Sequence, residues 1–209
     1  MNVAIIGASG RVGRCLVEQA IAEGHHVTAA VRNPATVDRP HERLRVVTCD
    51  VLDAAAVSRT IEGQDVVCCT LGEKSRRPTT LYSKGARNIL LGMQTNSVRR
   101  LIFLSNFGIL NEKAEDVGGA LLLFLVRRFI RHTLDDHRRA FQDIRAHAPE
   151  WIVVRPLALS NGHSTRRYRV SADRIPAKGW KVSRADVAHF MLRQATENDY
   201  LNQSPAIAY

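Results

Sequence analysis

Asn2-Val3-Ala4-Ile5-Ile6-Gly7-Ala8-Ser9-Gly10-Arg11-Val12-Gly13 decides the fold. A short apolar strand runs straight into a turn with glycine at every third position. Beyond the turn, Val12, Leu16, Val17, Ala20 and Ile21 recur at helical spacing up to Gly24, which predicts a helix with one apolar stripe. A lone G-x-x-G-x-x-G pattern says little, but between a strand and a helix each glycine has a physical reason. Gly7 permits the tight turn, Gly10 lets backbone amides approach a pyrophosphate, and Gly13 lets the helix pack close to the sheet. Unpaired N–H groups and the helix dipole favour phosphate at the same place. Gly7, Ala8, Ser9, Gly10, Arg11, Val12 and Gly13 are therefore expected to hold a dinucleotide.

Outward from this unit the chain alternates strand and helix. His26 to Val31 reads as the second strand, with Pro34 beyond it, and Leu44 to Thr48 as the third. Asp65 to Thr70, Arg100 to Leu104 and Trp151 to Arg155 complete the set, the last stopped by Pro156. Helices are expected over Asp53 to Ile61 and Thr79 to Asn96. The strands are continuously apolar, as in a parallel sheet covered on both faces. The fold class is α/β, a Rossmann-type doubly wound, mostly parallel sheet in three αβα layers, with expected order 3-2-1-4-5-6.

From about Ala120 a long helix carries Leu121, Leu122, Leu125, Val126, Phe129, Ile130, Leu134 and Phe141 on one stripe. It reads as a core helix, with a partner surface or a lid over the substrate pocket as alternatives. Asn161 to Lys181 is polar and Arg-rich, with room for a small hairpin around Tyr168 and Val170. Ser183-Arg-Ala-Asp186 matches a capping box opening a last helix with Val187, Phe190, Met191 and Ala195. No linker interrupts the chain. One dinucleotide-binding domain over 1–209 is expected, with substrate-pocket elements from about 106–184.

Of the 209 residues, 30 are Lys or Arg and 20 Asp or Glu, giving a net charge of +10. A basic chain attracts polyanions, but no helix-turn-helix, zinc finger or RRM-type motif accompanies the charge. The charge could serve nucleic acid, a membrane surface or phosphorylated ligands, and nucleic-acid binding through Arg166, Arg167 and Arg169 is a minor reading. Cys15, Cys49, Cys68 and Cys69 lack the spacing of a metal site and read as free thiols in a reducing compartment. Met1 leads directly into a strand and the apolar run Ala120 to Val126 is too short to span a bilayer, so a cytoplasmic monomer or dimer is expected.

The end of the second strand bears on the cofactor. Selection of NAD usually places an acid there to hold the ribose 2′-hydroxyl, whereas Arg32 suits a 2′-phosphate and points to NADP(H). Asp50 and Val51, after the third strand, are expected beside the adenine. Leu71 and Gly72, after the fourth, lie along the phosphate and ribose, and Tyr82 on the next helix joins the cofactor contacts. Ser105 ends the fifth strand over the expected nicotinamide, with Asn106 beside it, and Pro156 and Leu157 wall the same pocket. Ser105 and Asn106 are the catalytic candidates, although a serine at a strand end also serves as a cap. The Tyr-x-x-x-Lys pair that short-chain dehydrogenases use on ketones is missing. Reduction of a simple ketone needs a proton donor near the developing alkoxide, so the absence favours a delocalised acceptor or no chemistry.

With these residues in view, the chain resembles the flavin reductase/biliverdin-IXβ reductase family of atypical short-chain dehydrogenases over nearly its full length. The likeness rests on the glycine turn, Val31-Arg32, Asp50-Val51-Leu52, Gly63-Gln64-Asp65, Thr79-Thr80 and Gly85-Ala-Arg-Asn-Ile89. It continues through Asp135-Asp136-His137, His189-Phe-Met-Leu-Arg193 and Tyr209. The resemblance implies NADPH with a flavin or open-chain tetrapyrrole stacked on the nicotinamide, and the expected partner is a planar small molecule of this kind, a flavin, quinone or tetrapyrrole. Ser105-Asn106 stands where that family has Thr-Ser, and Pro156-Leu157-Ala158 where it has Pro-Pro-His. A non-catalytic NADP(H)-binding sensor is the rival reading that these departures leave open.

Overall fold

The computed structural model describes residues 1–37, 40–73, 77–110, 117–172, 176 and 179–209, with backbone alone over 117–127. β1 (Asn2–Ile6) enters α1 (Arg11–Ala22), followed by β2 (His26–Val31), a 3-10 turn (Pro34–Thr36) and β3 (Leu44–Thr48). α2 (Ala54–Ile61), β4 (Val66–Cys69), α3 (Leu81–Thr95), β5 (Arg100–Leu104), α4 (Val117–His147) and β6 (Glu150–Pro156) continue the alternation. The last part holds β7 (Ala158–Ser160), β8 (Arg169–Ser171), β9 (Lys181–Ser183), α5 (Arg184–Arg193) and β10 (Ala206–Ala208).

Eight strands form the main sheet in the order β3-β2-β1-β4-β5-β6-β10-β8, and β7 pairs with β9 beside it. The six strands read from the sequence take the expected order and pair in parallel. Two apolar layers flank them. One joins the sheet to α1 and α5, the other joins it to α2, α3 and α4. Alternation along β4 sends the adjacent Cys68 and Cys69 to opposite layers. Burial pushes both thiols up to about 12, so they stay protonated.

Several expectations need correction. The sheet extends past β6, because the apolar Ala206-Ile207-Ala208 adds β10 in parallel to its edge. β6 does stop at Pro156, which is itself its last residue and lies opposite Ile207. Its missing N–H costs nothing there, since Arg155 N donates to Pro205 O and Pro156 O accepts from Phe107 N. Among the described residues no local hairpin forms around Tyr168 and Val170; β8 pairs antiparallel with β10 instead, Val170 opposite Ile207.

α4 bends at Ile130 (φ −110°, ψ 18°), and Phe129 leaves the apolar stripe to stand 65% exposed. Ile130, Leu134 and Phe141 pack inward, while the side chains of Leu121, Leu122, Leu125 and Val126 lie outside the described residues. The capping box is half made. Ser183 Oγ accepts from Asp186 N, but the Asp186 carboxylate turns to other partners.

Candidate functional site

The glycine turn is held from three sides. Gly7 and Ala8 donate their N–H groups to Ala30 O of β2, and Gly10 N donates back to Gly7 O. Thr70, just past β4, donates its hydroxyl towards Ile6 O and Gly7 O. Gly7 has φ +85°, a left-handed conformation, and a Cβ there would stand 2.9 Å from the Thr70 carbonyl. A Cβ on Gly13 would lie 2.3 Å from Gly7 O and 2.9 Å from Ala8 Cα, so only glycine lets α1 come this close. Gly10 caps α1 with no side-chain hydrogen bond. The first-turn amides therefore face outward free of a side-chain oxygen, as a pyrophosphate needs, and the turn fits the diphosphate of a dinucleotide. Ser9 is half-buried, Val12 buried and Arg11 exposed at the start of this turn.

The other predicted residues sit at the carboxyl ends of the neighbouring strands. Arg32 is exposed at the end of β2, immediately before Asn33, whose side chain caps the 3-10 turn by accepting from Ala35 N. Asp50 Oδ1 accepts from Leu52 N, and Val51 is buried with its carbonyl held by Asn88 of α3. Leu71 and Gly72 follow β4 as a half-buried and an exposed residue. Pro156 and Leu157 close β6, the first buried and the second half-buried.

Beneath β5 lies a polar cluster of greater chemical interest. Ser105 is buried, its N–H held by Val154 O, and its Oγ lies 3.1 Å from Nδ1 of His137 on α4. Burial drives the His137 pKa down to about 3, against the weaker upward pull of Asp136, so the imidazole is neutral at ordinary pH. Its ring stacks on Tyr82 at 3.7 Å between centroids. Tyr82 is turned inward, its hydroxyl accepting from Glu73 N, and burial pushes its pKa up to about 12. Asp136, wholly buried, accepts from Tyr82 N at 2.8 Å, from Ser83 Oγ and from Arg139 Nη2 at 3.1 Å, which fixes α3 against α4. Asn106 is half-buried beside Ser105, and Arg138 pins the loop after it through Gly108 O and Ile109 O.

The structure thus brings Ser105 to His137 and Tyr82, whereas Arg32 lies three strands away across the sheet at the end of β2. His137, Asp136, Ser83 and Arg139 were missed as site residues by reasoning on strand ends. One signal for His137 is present in the chain: it shares helical spacing with the inward-facing Leu134 and Phe141, so it is a polar residue on an apolar stripe.

This fold and turn define a Rossmann-type dinucleotide-binding protein. More particularly, the NAD(P)H-binding family matches residues 7–198, and the chain belongs to it. Cinnamoyl-CoA reductase 1 of Oryza sativa subsp. japonica is 30% identical over 116 residues, which are 51% of this chain and 34% of that protein. The aligned region therefore spans about a third of that relative's length. Isoflavone reductase of Medicago sativa is 24% identical over 224 residues, covering 97% of this chain and 68% of that protein. Among solved structures, a Rossmann-fold NAD(P)-binding family protein from Shigella flexneri superposes with a TM-score of 0.73 at 25% identity, covering 99% of this chain and 92% of that one. A wide-type short-chain dehydrogenase/reductase from Veillonella parvula, solved in complex with NADP, gives 0.80 at 18% identity, with 100% and 94% covered. At that identity the likeness concerns the fold. Among the described residues no helix is long and apolar enough to cross a membrane.

Proposed function

We propose that the chain is an NADPH-dependent oxidoreductase that passes hydride to a flavin or a similar planar conjugated acceptor. The observation that carries this reading is the Ser105–His137 pair at the carboxyl end of β5. NADPH, when bound on the glycine turn, supplies the hydride. Arg32 selects its 2′-phosphate, and no acid stands in β2 to oppose that choice. Ser105 offers its hydroxyl to the acceptor as a hydrogen-bond donor, and the neutral His137 holds that hydroxyl in place through Nδ1.

A hydroxyl backed by a neutral imidazole is a weak acid. It can orient a ring carbonyl or nitrogen, but it cannot quench a localised alkoxide as a Tyr/Lys pair does. An acceptor that spreads charge through a ring and takes its proton later from water suits it better. The acceptor would lie over the ends of β5 and β6, against Asn106, Pro156 and Leu157, with its walls drawn from 106–184. The resemblance to the flavin and biliverdin-IXβ reductases supports the same class.

Stopped-flow absorbance at 340 nm, mixing NADPH-loaded protein with FMN, tests this directly. NADPH loss that accelerates with flavin concentration is expected, slowed about 5- to 10-fold in His137→Phe, the size of one lost orienting hydrogen bond. Tight NADPH binding without loss in the presence of FMN, quinones or biliverdin would overturn the reductase reading and leave a binding protein.

A further inference from the structure

We propose that Arg14 is a second cation for the 2′-phosphate of NADP(H), acting from α1 alongside Arg32, which follows β2. The inference deepens the NADPH reading and rests on it. Arg14 follows the last glycine of the turn, and its guanidinium folds back across the gap between two loops. Nε donates to Ser9 O at 3.0 Å in the glycine turn, and Nη2 donates to Thr36 O at 3.4 Å in the 3-10 turn. That 3-10 turn is the direct continuation of Arg32. It is itself fixed, with Asn33 accepting from Ala35 N and Thr36 Oγ1 donating to Asn33 O at 2.6 Å. The Arg14 guanidinium is therefore clamped against the loop whose first residue is Arg32.

Three features make this arrangement a phosphate site rather than a brace alone. Both partners of Arg14 are neutral carbonyls, and among the described residues no carboxylate pairs with it. Among the described residues its guanidinium therefore makes no ion pair. A guanidinium has five N–H donors, of which two are engaged here, so the rest remain for an anion. Finally, Arg14 lines a cavity of about 650 Å³ with Ala8, Thr36, Val37, Pro40 and His41, on the side of the sheet that α1 covers. Glu18 borders the same cavity one turn further along α1, beside the apolar Val17, Ile21 and Leu44.

A phosphate monoester carries close to two negative charges near neutral pH, and Arg32 alone offsets one. A second guanidinium, already held in place, adds charge-assisted bonds with little loss of side-chain freedom. Arg14 spans from the glycine turn to the 3-10 turn after Arg32, the side on which the adenosine 2′-phosphate would lie, so its effect should be confined to ligands that carry that phosphate.

Isothermal titration of the full chain with NADPH, NADH, 2′,5′-ADP and 5′-AMP tests this, on the wild type and on Arg14→Gln, Arg14→Lys and Arg32→Gln. Arg14→Gln is expected to weaken NADPH and 2′,5′-ADP by about 10- to 100-fold, the range of charge-assisted hydrogen bonds, and to leave NADH and 5′-AMP within about 2-fold. Arg14→Lys, which keeps the charge and loses the fork, should fall between. Equal weakening of all four ligands would make Arg14 a brace, and no weakening in either variant would make it a bystander; both overturn the proposal while the NADPH reading stands if Arg32→Gln still selects against the phosphate. A wild type that binds NADH as tightly as NADPH overturns both.

Discussion

The glycine turn and the segment from β7 to β10 are both built on hydrogen bonds, yet they are fixed in opposite ways. The turn is shaped by what is missing. Removing the side chains at Gly7 and Gly13 brings backbone onto backbone, and short-range bonds such as Gly10 N to Gly7 O then close it. The later segment is shaped by what is buried. Asp186, fully shielded from solvent, gathers Ser164 Oγ, Thr165 N and Oγ1, Arg166 N and Tyr209 Oη around one carboxylate. Arg155, equally buried, does the converse by donating to Ser204 O and Ala172 O. A cradle needs steric permission and tolerates no added atom. A lobe of short strands needs a charge to organise its loops.

The largest effect is expected in the turn. Gly13→Ala would set a methyl group 2.3 Å from Gly7 O and 2.9 Å from both Ala8 Cα and Thr70 Oγ1, so the backbone of the turn itself must shift. The variant should lose about 3 kcal/mol or more, the upper range for overpacking, and its NADPH affinity should fall by at least about 100-fold as the turn is forced open. Gly72→Ala is the control, because no described residue lies within 4 Å of a Cβ there. Thermal melts should show it within about 2 °C of wild type, as for ordinary surface changes. Similar melting losses in the two variants would break the steric side of the comparison.

Next in size comes the buried charge. Asp186→Asn keeps the shape but turns one acceptor oxygen into a donor amide facing O–H and N–H groups. A loss of about 2–4 kcal/mol is expected in chemical denaturation near pH 7. Burial by itself would raise the Asp186 pKa, but hydrogen bonds from Tyr209, Thr165, Arg166 N and Ser164 outweigh it and hold the group below its ordinary value. The sign follows from linkage. The contribution is fully present above the unfolded value of about 3.9 and disappears as pH falls through the lower folded value. Glu150, depressed chiefly by its bond to Arg100, acts in the same window. Between about pH 5 and 3 the wild type should therefore lose stability more steeply than Asp186→Asn. Parallel curves would mean that the carboxylate is not what organises the lobe.

The same contrast explains how much was legible in the sequence. The turn, α1 and six parallel strands declare themselves locally, through glycine spacing and unbroken apolar runs, and their order follows from the handedness of β-α-β units. β10 is only Ala206-Ile207-Ala208, too short to carry periodicity, and it exists because β6 offers an open edge. The hairpin around Val170 failed for the same reason, since the partner lies far along the chain. At the site, Ser105 was readable as a strand end. His137 was only hinted at, by its place on the apolar stripe of Leu134 and Phe141, because its meaning depends on α4 lying across β5 so that Nδ1 meets Ser105 Oγ. Asp186 illustrates the limit most sharply. Its place in a capping box was legible, but its carboxylate serves Ser164 to Arg166 and Tyr209, and the Ser183 N–H it would have capped goes to the Tyr209 hydroxyl.

That exchange supplies the smallest and most discriminating test. Tyr209 Oη donates to Asp186 Oδ2 at 2.7 Å and accepts from Ser183 N at 3.1 Å, so one hydroxyl completes both the carboxylate shell and the cap of α5. Tyr209→Phe removes only that oxygen, and the ring keeps its packing against the α1 and α5 layer. Loss of the pair of bonds should cost about 1–2 kcal/mol, read as a fall of about 2–8 °C in Tm for a chain of this size. If the lobe is organised by the carboxylate, the loss in Tyr209→Phe should shrink sharply in an Asp186→Asn background, because the two residues share one network. Additive losses in the double variant would instead mean that Tyr209 acts through the α5 cap alone, and the lobe would then be held, like the turn, by separate local contacts.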